Sequence, residues 1–177
     1  PYTTGRDTYE TVQEIVYAAN EGDEAPQGTH HYEELVKKGA QLPSADQDMH
    51  DDDLAGLFYT GGTTGRAKGV MLSHGNIVSN AIHVAIAAGY NDRDTYLHTA
   101  PMFHMGNTGS AFALTLVGAR NVFNPMFNPV QFMQTVQDEK VTLTFIVPAM
   151  FNAIINHPDN DKYDFSSMRR LAYGASP

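Results

Sequence analysis

Asn128-Pro129-Val130-Gln131-Phe132-Met133-Gln134-Thr135-Val136, followed after a short polar gap by Val141-Thr142-Leu143-Thr144-Phe145-Ile146-Val147-Pro148, sets the architecture. Asn128 is a capping residue just before a proline at the first helical position, and Val130, Phe132, Met133 and Val136 make an apolar stripe on the helix so begun. Val141 to Val147 is rich in β-branched residues and stopped by Pro148, which predicts a strand. The same alternation extends outward. Upstream, Leu54 to Tyr59 is an apolar run ending in a Gly/Thr-rich turn and reads as a buried strand. Ser73 is a good N-cap for a helix carrying Ile77, Val78, Ala81, Ile82, Ala85 and Ile86 on one face. Asp94 to Thr99 reads as a strand, Ser110 to Val117 as a helix and Asn121-Val122-Phe123 as a strand. Downstream come a short helix around Met150 to Ile155 and a last strand at Leu171-Ala172-Tyr173. Strands alternating with helices of this length predict an α/β fold, a parallel sheet with helices on both faces and ligands at the carboxyl ends of the strands.

The 177 residues are 42% apolar, enough for a packed core, and carry a formal charge of -9. Residues 1–53 hold 13 acidic against 3 basic side chains, and residues 54–177 hold 7 against 8. An acidic first third with no compensating basic stripe argues against nucleic-acid binding, while a near-neutral remainder permits a small anionic ligand. There is no cysteine, which removes disulfides, thiolate zinc sites and a Cys nucleophile. No apolar run is long enough to span a bilayer and no leader opens the chain, so a cytoplasmic location is expected.

Within residues 1–53, Thr11 to Ala18 suits a strand or a helix, and Tyr32 to Gly39 a short helix with acids first and lysines last. The acidic run 46–53 lacks the glycine and closing glutamate of a calcium loop and reads as a solvated linker. His30 and His31 are adjacent and read as surface residues, His83 as partly buried, and no metal site is expected. Phe103, Phe112, Met126, Phe127, Phe132 and Met133 sit at spacings that suit core packing.

The chemistry concentrates in Tyr59-Thr60-Gly61-Gly62-Thr63-Thr64-Gly65-Arg66-Ala67-Lys68-Gly69-Val70. Four glycines free the backbone to turn its N–H groups toward one point, and Thr60, Thr63, Thr64 and Lys68 add donors without negative charge. That inventory suits a polyphosphate better than a plain surface hairpin. The spacing is neither Gly-x4-Gly-Lys-[Ser/Thr] nor Gly-x-Gly-x-x-Gly, which sets aside the P-loop NTPase and Rossmann dehydrogenase readings.

These twelve residues resemble the phosphate-binding signature of the adenylate-forming (AMP-binding) superfamily, [Tyr/Phe]-Thr-[Ser/Gly]-Gly-[Ser/Thr]-Thr-Gly-x-Pro-Lys-Gly-Val, with Ala67 in place of the usual proline. Ala100-Pro101-Met102-Phe103-His104 resembles the Pro-x-Phe-His element of its acyl-CoA synthetase branch. Tyr173-Gly174-Ala175-Ser176-Pro177 resembles the Gly-Gly-Ala-Pro element beside the adenine, and Ser73-His74-Gly75-Asn76 the family's helix start. The resemblance implies that Thr60, Gly61, Gly62, Thr63, Thr64 and Gly65 hold ATP phosphates and Lys68 is catalytic. It places His104 near the acyl carboxylate and Gly174, Ala175 and Ser176 beside the adenine.

It further implies that residues 1–177 are part of the large N-terminal domain of an adenylate-forming enzyme. Residues 1–53 would be an acidic peripheral segment and 54–177 the ATP- and acyl-binding α/β subdomain, with the C-terminal domain and the Mg²⁺ ligand elsewhere. The implied reaction is ATP-dependent acid–CoA ligation, with ATP, Mg²⁺ and coenzyme A as co-substrates and a fatty acid as the expected acid. The isolated piece would be inactive and prone to self-association through apolar surface. Two alternatives stay open: an adenylation domain or acyl-AMP ligase feeding a carrier protein, and a non-catalytic binding or scaffold fragment.

Overall fold

The structure, a computed structural model, describes residues 12–18, 22–43, 48–61, 65 and 67–175. They fall into two compact units, one within residues 1–48 and one within residues 49–177. In the first, β1 (Val16–Tyr17) pairs in parallel with β2 (His30–His31), and α1 (Tyr32–Gly39) follows directly. The His31 ring accepts from Glu33 N–H and so caps α1, whose first turn carries Glu33 and Glu34 and whose last carries Lys37 and Lys38. His30, exposed, bonds to Glu14 at 2.7 Å.

The second unit begins with a hairpin. Strands β3 (Leu54–Thr60) and β4 (Lys68–Ser73) are antiparallel, with Thr60 opposite Lys68 and a register irregularity at Leu54/Gly56. This corrects the expected buried strand: Leu54, Leu57 and Tyr59 are exposed, and β3 takes no part in the parallel sheet. The reason is chain length. Residues 61–67 are too few for a crossover, which needs about a dozen, so the chain returns antiparallel.

Helix α2 (His74–Ala88) starts at a reciprocal cap in which Ser73 and Asn76 each accept the other's backbone N–H, and ends at Gly89 with φ +63. Then follow β5 (Thr95–His98), α3 (Met105–Leu116), β6 (Arg120–Phe123), α4 (Pro129–Asp138), β7 (Leu143–Ile146), α5 (Pro148–Ile155) and β8 (Arg170–Tyr173). The Asn128 side chain accepts from Gln131 N–H at the start of α4. Pro148 is the first residue of α5 as well as the stop of the strand, so that helix begins earlier than Met150. α3 begins five residues before Ser110 because hydrogen bonds from Asn107 and Thr108 fasten its first turn, offsetting the poor helix propensity of Gly106 and Gly109.

All four strands β6-β5-β7-β8, in that order, are parallel. Side chains of β5 alternate between the faces. Leu97 packs with Phe132, Met133, Val136 and Ile146 under α4, while Tyr96 packs with Leu114 of α3 and Leu143 of β7. Helices therefore cover both faces, and α2 backs α3 through the small residues Ala81, Ala85 and Ala113. Phe132 and Met133 are fully buried as expected, but Phe103 (78% exposed) and Met126 (77% exposed) lie outside the core, and His83 is exposed rather than partly buried. Those residues sit on loops and an outer helix face that nothing in this unit covers. No helix among the described residues is long and apolar enough to cross a membrane.

The amino ends of the strands are joined by one buried carboxylate. Asp94, just before β5, accepts from Asn91 N–H and Nδ2, from Thr142 Oγ1 before β7, and from Arg169 Nη2 before β8, at 2.8–3.1 Å. Burial by itself would raise this carboxyl group, but the hydrogen bonds from Arg169, Thr142 and Asn91 outweigh it and hold the group below its ordinary range.

Candidate functional site

The carboxyl ends of the parallel strands lead into four short segments, 99–104, 124–128, 147 and 174–175, and the candidate residues gather there. The segment after β5 is held rigidly. Asn107 Nδ2 donates to Ala100 O at 2.6 Å and lies 3.0 Å from Met102 Sδ, and Thr108 Oγ1 donates to Met102 O. Asn107 is itself supported from the sheet, its Oδ1 lying 2.8 Å from His98 Nδ1, while His98 Nε2 lies 2.7 Å from Asn121 Oδ1 on β6. His98 is buried between Tyr96 and a stacked Phe123. It is thus a structural strut. Sequence reading passed over Asn107 and Asn121; the signal available was that His98 shares strand parity with inward-facing Tyr96.

His104 ends this braced segment. Its backbone accepts from Asn107 and Thr108 N–H at the start of α3, its ring makes no capping bond, and Phe103 lies against it at 4.5 Å between centroids. The imidazole is exposed and lines a cleft of about 490 Å³ with Ala100, Pro101, Phe145, Val147 and Ala175. Phe145 is part of the lining, and a Cβ at Gly174 would meet its ring at 3.5 Å, an ordinary van der Waals contact. Gly174 N–H donates to Ile146 O, and Ala175 adopts φ +70, a left-handed conformation costly for a residue with a side chain. Ser176 lies outside the described residues.

On its other side, His104 and Phe103 border a second cleft with Leu57, Phe58 and Tyr59 of β3. The root of the glycine loop is therefore next to His104. Thr60 and Lys68 form the closing rung of the hairpin, with Thr60 Oγ1 3.5 Å from Lys68 O, and both are exposed. Gly65 has φ +146, which other residues rarely adopt. Gly62, Thr63 and Thr64 lie outside the described residues. The structure thus brings together His104, Ala175 and the root of the loop. Among the described residues, none that lines these clefts is Asp, Glu, Lys or Arg. Such a lining sets no negative charge against an anion, and Lys68 stands at the base of the hairpin whose β3 strand borders the second cleft. Among the described residues no group of three His, Asp or Glu is placed to hold a metal ion.

Residues 5–177 match the family of AMP-binding enzymes. The chain is 37% identical to feruloyl-CoA synthase of Amycolatopsis sp over 143 residues, which cover 77% of this chain and 29% of that protein. It is similar to the inhibitor-bound N-terminal domain of FACL13 from Mycobacterium tuberculosis, with a TM-score of 0.72 and 26% identity over 82% of this chain and 37% of that one. The long-chain-fatty-acid-CoA ligase FadD1 from Archaeoglobus fulgidus gives a TM-score of 0.64 and 36% identity over 71% of this chain and 26% of that one. The chain spans about a third of the length of the curated relatives it matches.

Proposed function

The chain belongs to the AMP-binding enzyme family, and from that premise we propose that its parent protein is an AMP-forming acid–CoA ligase. In the first step a carboxylate oxygen attacks the α-phosphorus of ATP, the bond to pyrophosphate breaks, and an acyl-adenylate forms. In the second, the thiol of coenzyme A attacks the acyl carbon and AMP leaves. ATP, Mg²⁺ and coenzyme A are the co-substrates assigned to the parent.

The observation that carries this reading is the meeting of His104, Ala175 and the root of the glycine loop around clefts whose described lining holds no carboxylate. Two anions must be brought together, and the physical task is to hold charge in place. We assign Lys68, Thr60 and Thr64 with the backbone of Gly61, Gly62, Thr63 and Gly65 to the departing pyrophosphate, Gly174, Ala175 and Ser176 to the adenine side, and His104 to the acid's carboxylate. Residues 54–177 are assigned as the ATP- and acyl-binding subdomain. The acid is apolar, since Phe145, Val147 and Pro101 line the cleft beside His104. A fatty acid fits that lining and so does an aryl acid, and the relatives are named for both.

The test is carboxylate-dependent ATP–pyrophosphate exchange by the full-length parent with a panel of fatty and aryl acids, with and without coenzyme A. Exchange with one class of acid, and AMP plus thioester on adding coenzyme A, is the expected result. Thioester formation on a carrier protein but not on coenzyme A would redirect the second step, and no exchange with any acid would overturn the reading.

A further inference from the structure

The segment 99–104 that carries His104 belongs to no strand or helix. Within it the backbone bond from His104 N–H to Pro101 O is long, at 3.4 Å, and the His104 ring makes no capping bond to α3. Two side chains from the first turn of α3 hold the segment instead, Thr108 Oγ1 donating to Met102 O and Asn107 Nδ2 to Ala100 O. Asn107 differs from Thr108 in being buried, at 1% exposure, and in being tied to the sheet through His98. The ligation chemistry gives it no role.

The protons in this chain of bonds run one way. Ala100 O can only accept and Met102 Sδ has no hydrogen, so the Asn107 nitrogen must face both and its Oδ1 must face His98. Nδ1 of His98, 2.8 Å away, therefore carries a proton. The other ring nitrogen is under no such demand. Asn121 has only a long second bond, 3.3 Å to Ala119 O, and can turn its amide to meet Nε2 with or without a proton. Asn107 cannot turn without stranding buried polar atoms, a cost that keeps it in one orientation. The directed path thus runs from His98 Nδ1–H to Asn107 Oδ1 and from Asn107 Nδ2–H to the carbonyl of Ala100, four residues before His104. We propose that Asn107, oriented by His98, is a positioning residue that fixes where His104 meets the acid's carboxylate. The proposal rests on the assignment of His104 to the acid, and Asn107 acts through the backbone it holds.

Two substitutions of His98 separate positioning from packing. Asparagine places an amide nitrogen the same number of bonds from Cβ as Nδ1, and glutamine places one the same number as Nε2. In the full-length parent, His98→Gln should raise KM for the acid about tenfold, the scale of one hydrogen bond lost from a buried network, and leave KM for ATP in place. His98→Asn should keep both near the parent values, although its smaller side chain leaves a cavity and lowers the melting temperature more. Packing alone predicts the opposite order, because glutamine is closer to histidine in size. His98→Gln should add nothing to His104→Ala, since no ring is left to position. An acid KM less disturbed by glutamine than by asparagine, equal changes for acid and ATP, or additive effects in the double variant would overturn the proposal. The 177-residue chain gives a second readout that needs no activity. Long-range proton–nitrogen correlation spectra should show a proton on His98 Nδ1. The His104 ring signals should move in Asn107→Asp, which keeps the acceptor for Nδ1–H and loses the donors to Ala100 O and Met102 Sδ. A bare Nδ1, or His104 signals unmoved in folded Asn107→Asp, would overturn the proposal even where the His98 variants do not fold. Absence of exchange with every acid would fall on the ligase reading instead, and these spectra would still decide whether Asn107 places His104.

Discussion

Asp94→Asn should destabilise the 177-residue chain almost as much as Asp94→Ala, although asparagine has the same shape. Every group that touches this carboxylate is a donor: Asn91 N–H and Nδ2, Thr142 Oγ1 and Arg169 Nη2. An amide would aim its own NH₂ at one of these donors, so the substitution replaces an acceptor by a repulsive contact. The side chain of Asp94 is 3% exposed and that of Arg169 42%, so Arg169 can recover water while the atoms packed against residue 94 cannot. Breaking a fully buried pair costs about 3–5 kcal/mol. The half-exposed partner puts this case at the low end, about 3 kcal/mol, or roughly 6–12 °C in melting temperature for a chain of this size. The pH dependence has a definite sign. The folded-state carboxyl group is held below its ordinary value of 3.8 by the hydrogen bonds from Arg169, Thr142 and Asn91, so its contribution is complete above that pH and is lost as pH falls below it through the folded-state value. Thermal unfolding followed by circular dichroism at pH 7 and at steps between pH 5 and pH 2.5 reads both effects. A melting temperature for Asp94→Asn within about 2 °C of the parent chain at pH 7 would refute the reasoning. So would an equal acid-induced loss in the two proteins.

Other substitutions separate chemistry from folding. Lys68→Ala in the full-length parent should lower ATP–pyrophosphate exchange by about two orders of magnitude, the scale of one lost transition-state contact, with melting unchanged because Lys68 is exposed; exchange at the parent rate removes its role. His104→Ala should change KM or kcat unequally across a series of acids, and identical ratios for every acid would remove His104 from the acyl site. Ser73→Ala breaks the reciprocal cap of α2 and should cost about 1 kcal/mol, read as a shift in denaturant midpoint at constant slope, whereas no shift would mean the cap is redundant.

The parallel sheet was legible because its signals are local. Asn128-Pro129 and Ser73 mark helix starts through side chains that reach only three residues along the chain. The first strand was misread because an apolar run is the same whether its partner is parallel or antiparallel. The seven-residue gap before Lys68 was the evidence that decided between them. His104 and the loop could be found as contiguous patterns. The residues that brace them could not: His98 meets Asn107 and Asn121 at separations of 9 and 23 residues. Asn121 comes within reach because β5 lies directly beside β6 in the strand order β6-β5-β7-β8. Pairing of that kind depends on topology, and no periodicity in the sequence encodes it.

The sheet also separates its charges by end. Asp94 and Arg169 tie the amino ends together, while among the described residues none that lines the clefts at the carboxyl ends is acidic, lysine or arginine. A carboxylate at the carboxyl ends would repel a carboxylate substrate and nucleotide phosphates, whereas at the amino ends it contributes stability with the length of the strands between it and the site. Stability and ligand binding should therefore respond to different substitutions, and Asp94→Asn and His104→Ala test that division from opposite ends. In the full-length parent the first should lower the melting temperature and leave the ratios of kcat/KM across a series of acids unchanged. The second should change those ratios without lowering the melting temperature, because the His104 side chain is exposed. A change of both properties in either variant would mean that the two ends of the sheet are coupled, and that the strands transmit strain between them.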